Sequence, residues 1–421
     1  MANDRLLVLL SGEVIGVLER GDEPTSLSFV YEPSYVATST VALSSSLPLR
    51  QAPFPARAVL PYLRGLLPEN PQTLQLWADR FGTVPADVFA MLSSMGWDCP
   101  GAVQFCREQD LQALHSREDE HIPVSDDYIA QRLRGLARQP AGWSMPQEHW
   151  SLGGQQEKFA LALIGGQWHE ARGSAATTHI FKPGIPHLRS QALVEHATMV
   201  AASQVGVEVA RTQFLTFGDQ SAIVVERFDR EISGRGIRRV HQEDFCQALR
   251  RLPEAKYESR GGPTLRDMAN LLRRQCDDLE AAALAVADFV AINLVAGAPD
   301  GHSKNISLIH QTAGNWVAPL YDLATGLVYD KANVEREVAV AIGGERSSSR
   351  IRAEQWRKTA KTLGLDAGDV IARVRQLAAE FPDAFERALA DSAAGHDAKE
   401  VRQRSSEPIA QHCQRILAQL Q

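Results

Sequence analysis

Asp300-Gly-His-Ser-Lys-Asn305, followed by Leu320-Tyr-Asp-Leu323, carries the strongest architectural signal in this chain. An aspartate, four residues and then an asparagine is the spacing of a phosphoryl-transfer loop. The carboxylate takes the proton of an acceptor hydroxyl, and the amide oxygen binds a metal ion. Asp322 comes seventeen residues after Asn305. A second carboxylate at the end of a short excursion completes a Mg²⁺ site on the phosphates of ATP. The intervening residues predict that excursion: 306–310 and 316–320 read as strands around a turn at 311–315, so a hairpin returns Asp322 to Asn305. The hexapeptide alone does not settle the matter, because Asp-Gly is also a common turn.

Composition narrows the class. The 421 residues are 44% hydrophobic and 23% charged, as in globular proteins of the aqueous phase. That length predicts two or three domains at about 150 residues each. No stretch approaches the ~20 apolar residues of a membrane span. The apolar run at 6–10 is short and flanked by Asp4 and Glu13, so it predicts a first β-strand and not a signal peptide. Five cysteines (99, 106, 246, 276 and 413) form no CxxC, and twelve histidines form no HExxH. A reduced, cytoplasmic protein without a membrane partner is the expectation. The net charge of −7 excludes a basic nucleic-acid binder, so DNA contact is expected through a partner.

Periodicity divides the chain into a β-rich and an α-rich half. Residues 6–10, 14–18 and 27–31 predict strands, 48–61 a proline-rich extended segment, and 101–105 a further strand. Helices are predicted from Asn70 and over 84–92. An accessory α/β subdomain is placed at 1–107. A polar connector runs from 107 to 148, with a helix opened by Ser125 as N-cap. Residues 159–164 and 167–170 predict a hairpin about Gly165-Gly166. Strands follow at 178–182, 211–217 and 221–225, with a helix at 190–205. These assign 108–230 to an N-terminal lobe. From 231 to 421 the pattern is helical, at 242–251, 264–274, 279–296, 354–361, 367–380, 382–394 and 408–420.

Four features then fall in a meaningful order. Ser151-Leu-Gly-Gly-Gln-Gln-Glu-Lys158 is a glycine loop leading into a strand, whose N–H groups can cradle phosphate. Lys182 ends a strand and Glu195 lies in the next helix, the pairing by which a lysine is held on ATP phosphates. Val224-Val-Glu-Arg-Phe-Asp229 falls at the junction of the halves, where backbone groups can read an adenine edge and Phe228 can wall the pocket. The Asp300, Asn305 and Asp322 set completes the order. The fold class expected is α+β: a bilobal protein-kinase-like fold with a β-rich N-terminal lobe and an all-helical C-terminal lobe.

At this point the chain resembles the HipA-type serine/threonine kinases, the toxins of HipAB-type toxin–antitoxin pairs. The matching pieces are Ser151–Lys158, Thr178-His-Ile-Phe-Lys182, Val225-Glu-Arg-Phe-Asp-Arg230, Gln242-Glu-Asp-Phe-Cys-Gln247, Lys256-Tyr-Glu-Ser259 with Gly261-Gly-Pro263, Asp300–Asn305 and Pro319-Leu-Tyr-Asp322. Leu66-Leu-Pro-Glu-Asn70 extends the likeness into the accessory domain. The resemblance implies that Asp300 is the catalytic base and that Asn305 and Asp322 hold Mg²⁺. ATP is expected against Gly153, Gly154, Gln155, Gln156, Glu157, Lys158, Lys182, Glu226, Arg227, Phe228, His302, Ser303, Lys304, Asn305, Tyr321 and Asp322. Ser151 matches the family's autophosphorylated serine. The implied substrate is an aminoacyl-tRNA synthetase, most often the glutamyl enzyme. The implied partner is a HipB-like helix-turn-helix antitoxin dimer, which brings operator DNA and with which the toxin acts as corepressor. Residues 184–191 are a candidate substrate-facing segment. Arg346, Arg350 and Arg352 form a basic patch where the family meets DNA, read here as a solvated loop. Two other functions share these features: a small-molecule phosphotransferase, and an ATP-binding corepressor without essential kinase activity.

Overall fold

Alternating apolar residues at the start of the chain fold as an antiparallel meander. Asp4–Leu10 pairs with Glu13–Arg20, which pairs with Leu27–Tyr31. Val103–Cys106 returns beside the first strand, and Phe54–Pro55 closes the far edge. Leu6, Val8, Phe29 and Tyr31 share one apolar cluster with residues of the helices Ala56–Gly65, Pro71–Phe81 and Val88–Met95. The computed structural model describes residues 4–22, 26–116, 120–138, 149–234, 236–329 and 337–421.

The second sheet has six antiparallel strands in the spatial order Thr212–Phe217, Gln220–Glu226, His179–Lys182, Phe159–Ile164, Gln167–Arg172 and Glu120–Pro123. Phe181 is fully buried; it stacks on Phe159 at 4.9 Å and meets Trp168 edge-on at 4.9 Å. Burying such a ring is worth about 1.5–3 kcal/mol. The alternation of the strand therefore fixes Lys182, the next residue, toward the opposite side of the sheet.

The helix Leu279–Val295 is apolar on nearly every face and runs through the second half of the molecule, against Leu265–Gln275, Ala353–Leu363 and Ala367–Asp391. It delivers the chain to Asp300. Beyond the Asp300–Asn305 run, Ser307–Gln311 and Gly314–Val317 form the expected hairpin. Among the described residues no helix is long and apolar enough to cross a membrane.

Several local expectations are corrected. The C-terminal half is not all helical. His241–Asp244 joins the hairpin as a third strand, and small hairpins form at Arg230–Ser233 with Gly236–Arg239 and at Glu337–Ile342 with Glu345–Ser347. The helix expected at 242–251 shrinks to Phe245–Ala248, because strand pairing claims the residues before it; Asp244 and Gln247 close a capping box there. The extended 48–61 segment turns helical at Ala56, with Pro61 inside the helix. Pro382 and Pro408 likewise lie inside the continuous helices Ala367–Asp391 and Gly395–Gln419. Each proline forfeits a helical hydrogen bond, but buried Phe381 and Phe385 flank Pro382, and buried Ser405 and Ile409 flank Pro408. The connector also contributes to the core: Ile129 and Leu133 pack with Trp150, Phe159 and Phe181. Its last stretch, 139–148, lies outside the described residues.

Candidate active site

Lys182, at the end of its strand, meets two carboxylates from different elements. Its ammonium lies 2.8 Å from Glu195 Oε1 and also bonds Asp322 Oδ1. Glu195 is on the helix Gln191–Gln204 and is oriented by Gln191 Nε2 at 3.2 Å. Burial pulls the Lys182 ammonium down, but the two carboxylates outweigh it and hold it firmly protonated. Burial pushes both carboxyls up. The lysine reverses that for Asp322, which stays well below the usual carboxylate range, whereas for Glu195 burial and the nearby Asp322 charge leave a raised value. Asp322 has φ 59°, a left-handed conformation that aspartate tolerates better than most residues. Its side chain is 39% exposed.

The glycine loop is pinned from below by the accessory domain. Ser151 is fully buried, and its hydroxyl donates to the Leu66 carbonyl at 2.6 Å. The Glu69 N–H donates to the Gly154 carbonyl at 2.9 Å, and the Asn70 amide to Glu157 Oε1 at 2.9 Å. A Cβ on Gly153 would sit 2.7 Å from the Gly65 carbonyl oxygen, which explains glycine at that position. Lys158 donates to the Gly153 carbonyl at 2.7 Å; burial and the neighbouring Lys182 push its ammonium down to about 8.

The Asp300–Asn305 run is organised by its own ends. The Asn305 amide nitrogen donates to the Asp300 carbonyl at 2.8 Å, which leaves the amide oxygen available. The Asp300 side chain is 59% exposed. His302 lies beneath it, buried and held below its ordinary pKa chiefly by that burial. His302 Nδ1 and Ser303 Oγ are buried with no hydrogen-bond partner among the described residues.

Two expected ligand residues have their side chains engaged in buried ion pairs. Lys304 bonds Asp244 Oδ2 at 2.8 Å and lies 3.7 Å from Glu69, so its charge braces the loop against the accessory domain. Arg227 is spent on Asp229 at 2.9 Å and Asp98 at 3.4 Å, in a buried network with Arg230 and Arg239. Phe228 instead stacks on Tyr321 at 5.5 Å, while the Tyr321 hydroxyl donates to the Lys304 carbonyl at 2.7 Å. Glu226 ends its strand at this junction, half-buried. Gln156 reaches the helix that carries Glu195 through Gln191 at 3.2 Å, and Gln155 is exposed on the loop. Sequence reasoning gave no role to Glu69, Asp244, Lys256 or Tyr257. Their spacing matches no simple chemistry, and only the fold brings them to this loop.

Among the described residues no three His, Cys, Asp or Glu side chains converge as a metal cage. Mg²⁺ needs none, since it is held by one or two carboxylates and by phosphate oxygens. The free amide oxygen of Asn305 and the carboxylate of Asp322 are the hard oxygen donors that such an ion prefers.

Comparison with known proteins agrees with this geometry. A model of the HipA-like C-terminal domain matches residues 150–385, and one of the HipA N-terminal domain matches 6–106. The chain is 34% identical over 391 residues to the kinase-named protein Y4mE of Sinorhizobium fredii, covering 92% of each. It is 29% identical over 386 residues to the serine/threonine-protein kinase toxin HipA of Shewanella oneidensis, covering 84% of this chain and 86% of that one. Against the solved Shewanella oneidensis complex of HipA, HipB and operator DNA it aligns with a TM-score of 0.83 at 25% identity, covering 98% of this chain and 97% of that one. Fold and cleft thus define a kinase of the bilobal, protein-kinase-like class. The chain belongs to the HipA family.

Proposed function

We propose that this kinase uses Mg-ATP to phosphorylate serine or threonine in an aminoacyl-tRNA synthetase, most often the glutamyl enzyme, and so arrests growth in the cytoplasm. It also phosphorylates its own Ser151, and with a HipB-like helix-turn-helix antitoxin dimer it occupies operator DNA as corepressor. The observation that carries the reading is the ion-paired Lys182, bonded to both Glu195 and Asp322 in the cleft beside the Asp300–Asn305 run.

Asp300, exposed at the mouth, accepts the acceptor hydroxyl's proton. The acceptor oxygen forms its bond to the γ-phosphorus as the bond from that phosphorus to the β–γ bridging oxygen breaks, and ADP leaves. Lys182 and the N–H groups of 153–157 stabilise negative charge on the phosphates. Glu226, Arg227 and Phe228 border the adenine, Arg227 through its backbone. Asn305 and Asp322 would hold Mg²⁺, which when bound neutralises phosphate charge. The fold family is matched by a solved complex containing HipB and operator DNA, which supports the partner assignment. Arg346 and Arg350 are engaged by Glu337 at 3.1 Å and Glu345 at 2.9 Å, which favours DNA contact through the antitoxin.

Phosphoproteomics of cells expressing the intact chain or Asp300→Asn tests the reading. The expected result is one synthetase phosphopeptide and growth arrest with the intact chain only, and operator repression with both. Growth arrest and synthetase phosphorylation by Asp300→Asn would overturn it.

A further inference from the structure

The segment Lys256-Tyr-Glu-Ser259 is not absorbed by the reading above, yet it lies directly on the catalytic run. The Tyr257 hydroxyl donates to Asp300 Oδ1. Its ring meets His302 edge-on, with centroids 4.9 Å apart and planes at 86°. His302 Nε2 is 3.8 Å from the same Asp300 oxygen. One carboxylate oxygen is therefore engaged by the Tyr257 hydroxyl, with the His302 ring alongside.

The segment is fixed at several points. The Ser303 N–H donates to the Lys256 carbonyl at 3.3 Å, and the Gly262 N–H to the Tyr257 carbonyl at 2.9 Å. The Lys256 ammonium bonds Glu69 of the accessory domain at 2.9 Å, and Glu258 accepts the Ala341 N–H at 2.7 Å. A Cβ on Gly262 would sit 2.4 Å from the Ala255 carbonyl and 2.6 Å from that of Tyr257, so this tight return needs glycine. Burial, with the Asp300 charge, raises the Tyr257 hydroxyl well above its ordinary pKa, so it stays a donor.

We propose that Tyr257 is the positioning residue of the catalytic base: its hydroxyl fixes one oxygen of the Asp300 carboxylate and leaves the other to face the acceptor hydroxyl. The inference rests on the reading of Asp300 as that base. A carboxylate this exposed would otherwise rotate among solvated conformers. Phosphoryl transfer of this class demands alignment more than basicity. A donor that orients the carboxylate therefore serves the reaction. Misplacing a reacting group by an ångström costs about 100-fold in rate.

The test compares the full chain with Tyr257→Phe and Asp300→Asn. Transfer of label from γ-labelled ATP to the chain itself and to water is followed, and nucleotide affinity is measured separately with a fluorescent ATP analogue. Phenylalanine keeps the ring on His302, and a thermal melt verifies folding. The expected result is a fall in kcat of about 10- to 100-fold for Tyr257→Phe, with KM for ATP and melting temperature unchanged and Asp300→Asn inactive. Tyr257→Phe at the intact rate, beside an inactive Asp300→Asn, overturns the inference and leaves the base assignment standing. An Asp300→Asn form at the intact rate removes the base assignment itself. A fall in nucleotide affinity or melting temperature in Tyr257→Phe makes the residue merely structural, and label on Tyr257 makes it an acceptor. Either overturns the inference.

Discussion

Ser151 Oγ donates to the Leu66 carbonyl at 2.6 Å, which fastens the glycine loop to the accessory domain across 85 residues of sequence. The accessory domain therefore borders the site that the proposed reading gives to the nucleotide. Glu69 extends the same fastening to Lys256 and Lys304 beside the Asp300–Asn305 run.

A phosphate on Ser151 adds about −1.5 to −2 charges and three oxygens to a fully buried position. The loop cannot stay folded around it, so phosphorylation should expel the loop and abolish ATP binding. Mass spectrometry and activity after ATP incubation check this, and a fully phosphorylated, fully active protein would refute it. Ser151→Ala should keep activity but lose about 1–3 kcal/mol, because the Leu66 carbonyl is left without its partner.

Asp300→Asn should lower phosphoryl transfer by about 10²–10⁴-fold while nucleotide affinity is retained. Asp300 sits at the mouth of the cleft and takes no part in the Lys182 ion pairs. Initial rates and equilibrium binding on the same preparation separate the two effects.

Lys182→Met should cost roughly 3–5 kcal/mol as well as activity, since it leaves buried Glu195 beside Asp322 with no cation between them. Adding Glu195→Gln should recover part of the urea midpoint but none of the activity. A single Lys182→Met of unchanged midpoint would contradict the buried pairing.

Asp98 gathers Arg230 at 2.8 Å, Arg239 at 2.9 Å and Arg227 at 3.4 Å beneath the junction of the lobes. Asp98→Asn should destabilise the protein by about 3–5 kcal/mol, because it leaves buried arginines under-compensated. A melting temperature within a degree or so of the intact chain would show that the network is dispensable.

Burial holds His179, His196 and His241 neutral down to about 4. The unfolded chain takes these protons near pH 6.5. Between about 6.5 and 4 the unfolded state thus binds more protons, and stability should fall as pH falls. Below about 4, Asp98 and Asp229 add to the loss. Burial opposes their charge, but the arginines hold them below the ordinary value. Their contribution is present above the unfolded pKa and is lost as pH drops through the folded one. Urea midpoints at pH 7.5, 6 and 5 check the first part, and a flat series would contradict it.

Much of the frame was legible in local sequence. Phe159–Ile164 declared itself by a short apolar run before the Gly165-Gly166 turn, His179–Lys182 by an apolar stretch stopped at Pro183, and Leu279–Val295 by a long, mostly apolar stretch. The misreadings share one cause. Helical periodicity at 242–251 gave way to strand pairing with 307–310, and the helix-breaking tendency of Pro382 and Pro408 gave way to packing on both sides of each proline.

The sequence by itself determined the residue types and their order along the chain: glycine loop, strand lysine, junction, then Asp300, Asn305 and Asp322. Those depend on local propensity and short spacing, which a linear chain displays. Tertiary structure alone decided that Arg227 and Lys304 are braces, that Glu69 reaches the cleft from the accessory domain, and that Tyr257 touches Asp300. The physical reason is that a charge or hydroxyl has no fixed role until burial and a partner give it one, and the partner is often remote in sequence: Asp300 is 43 residues from Tyr257, and Glu69 is 187 from Lys256.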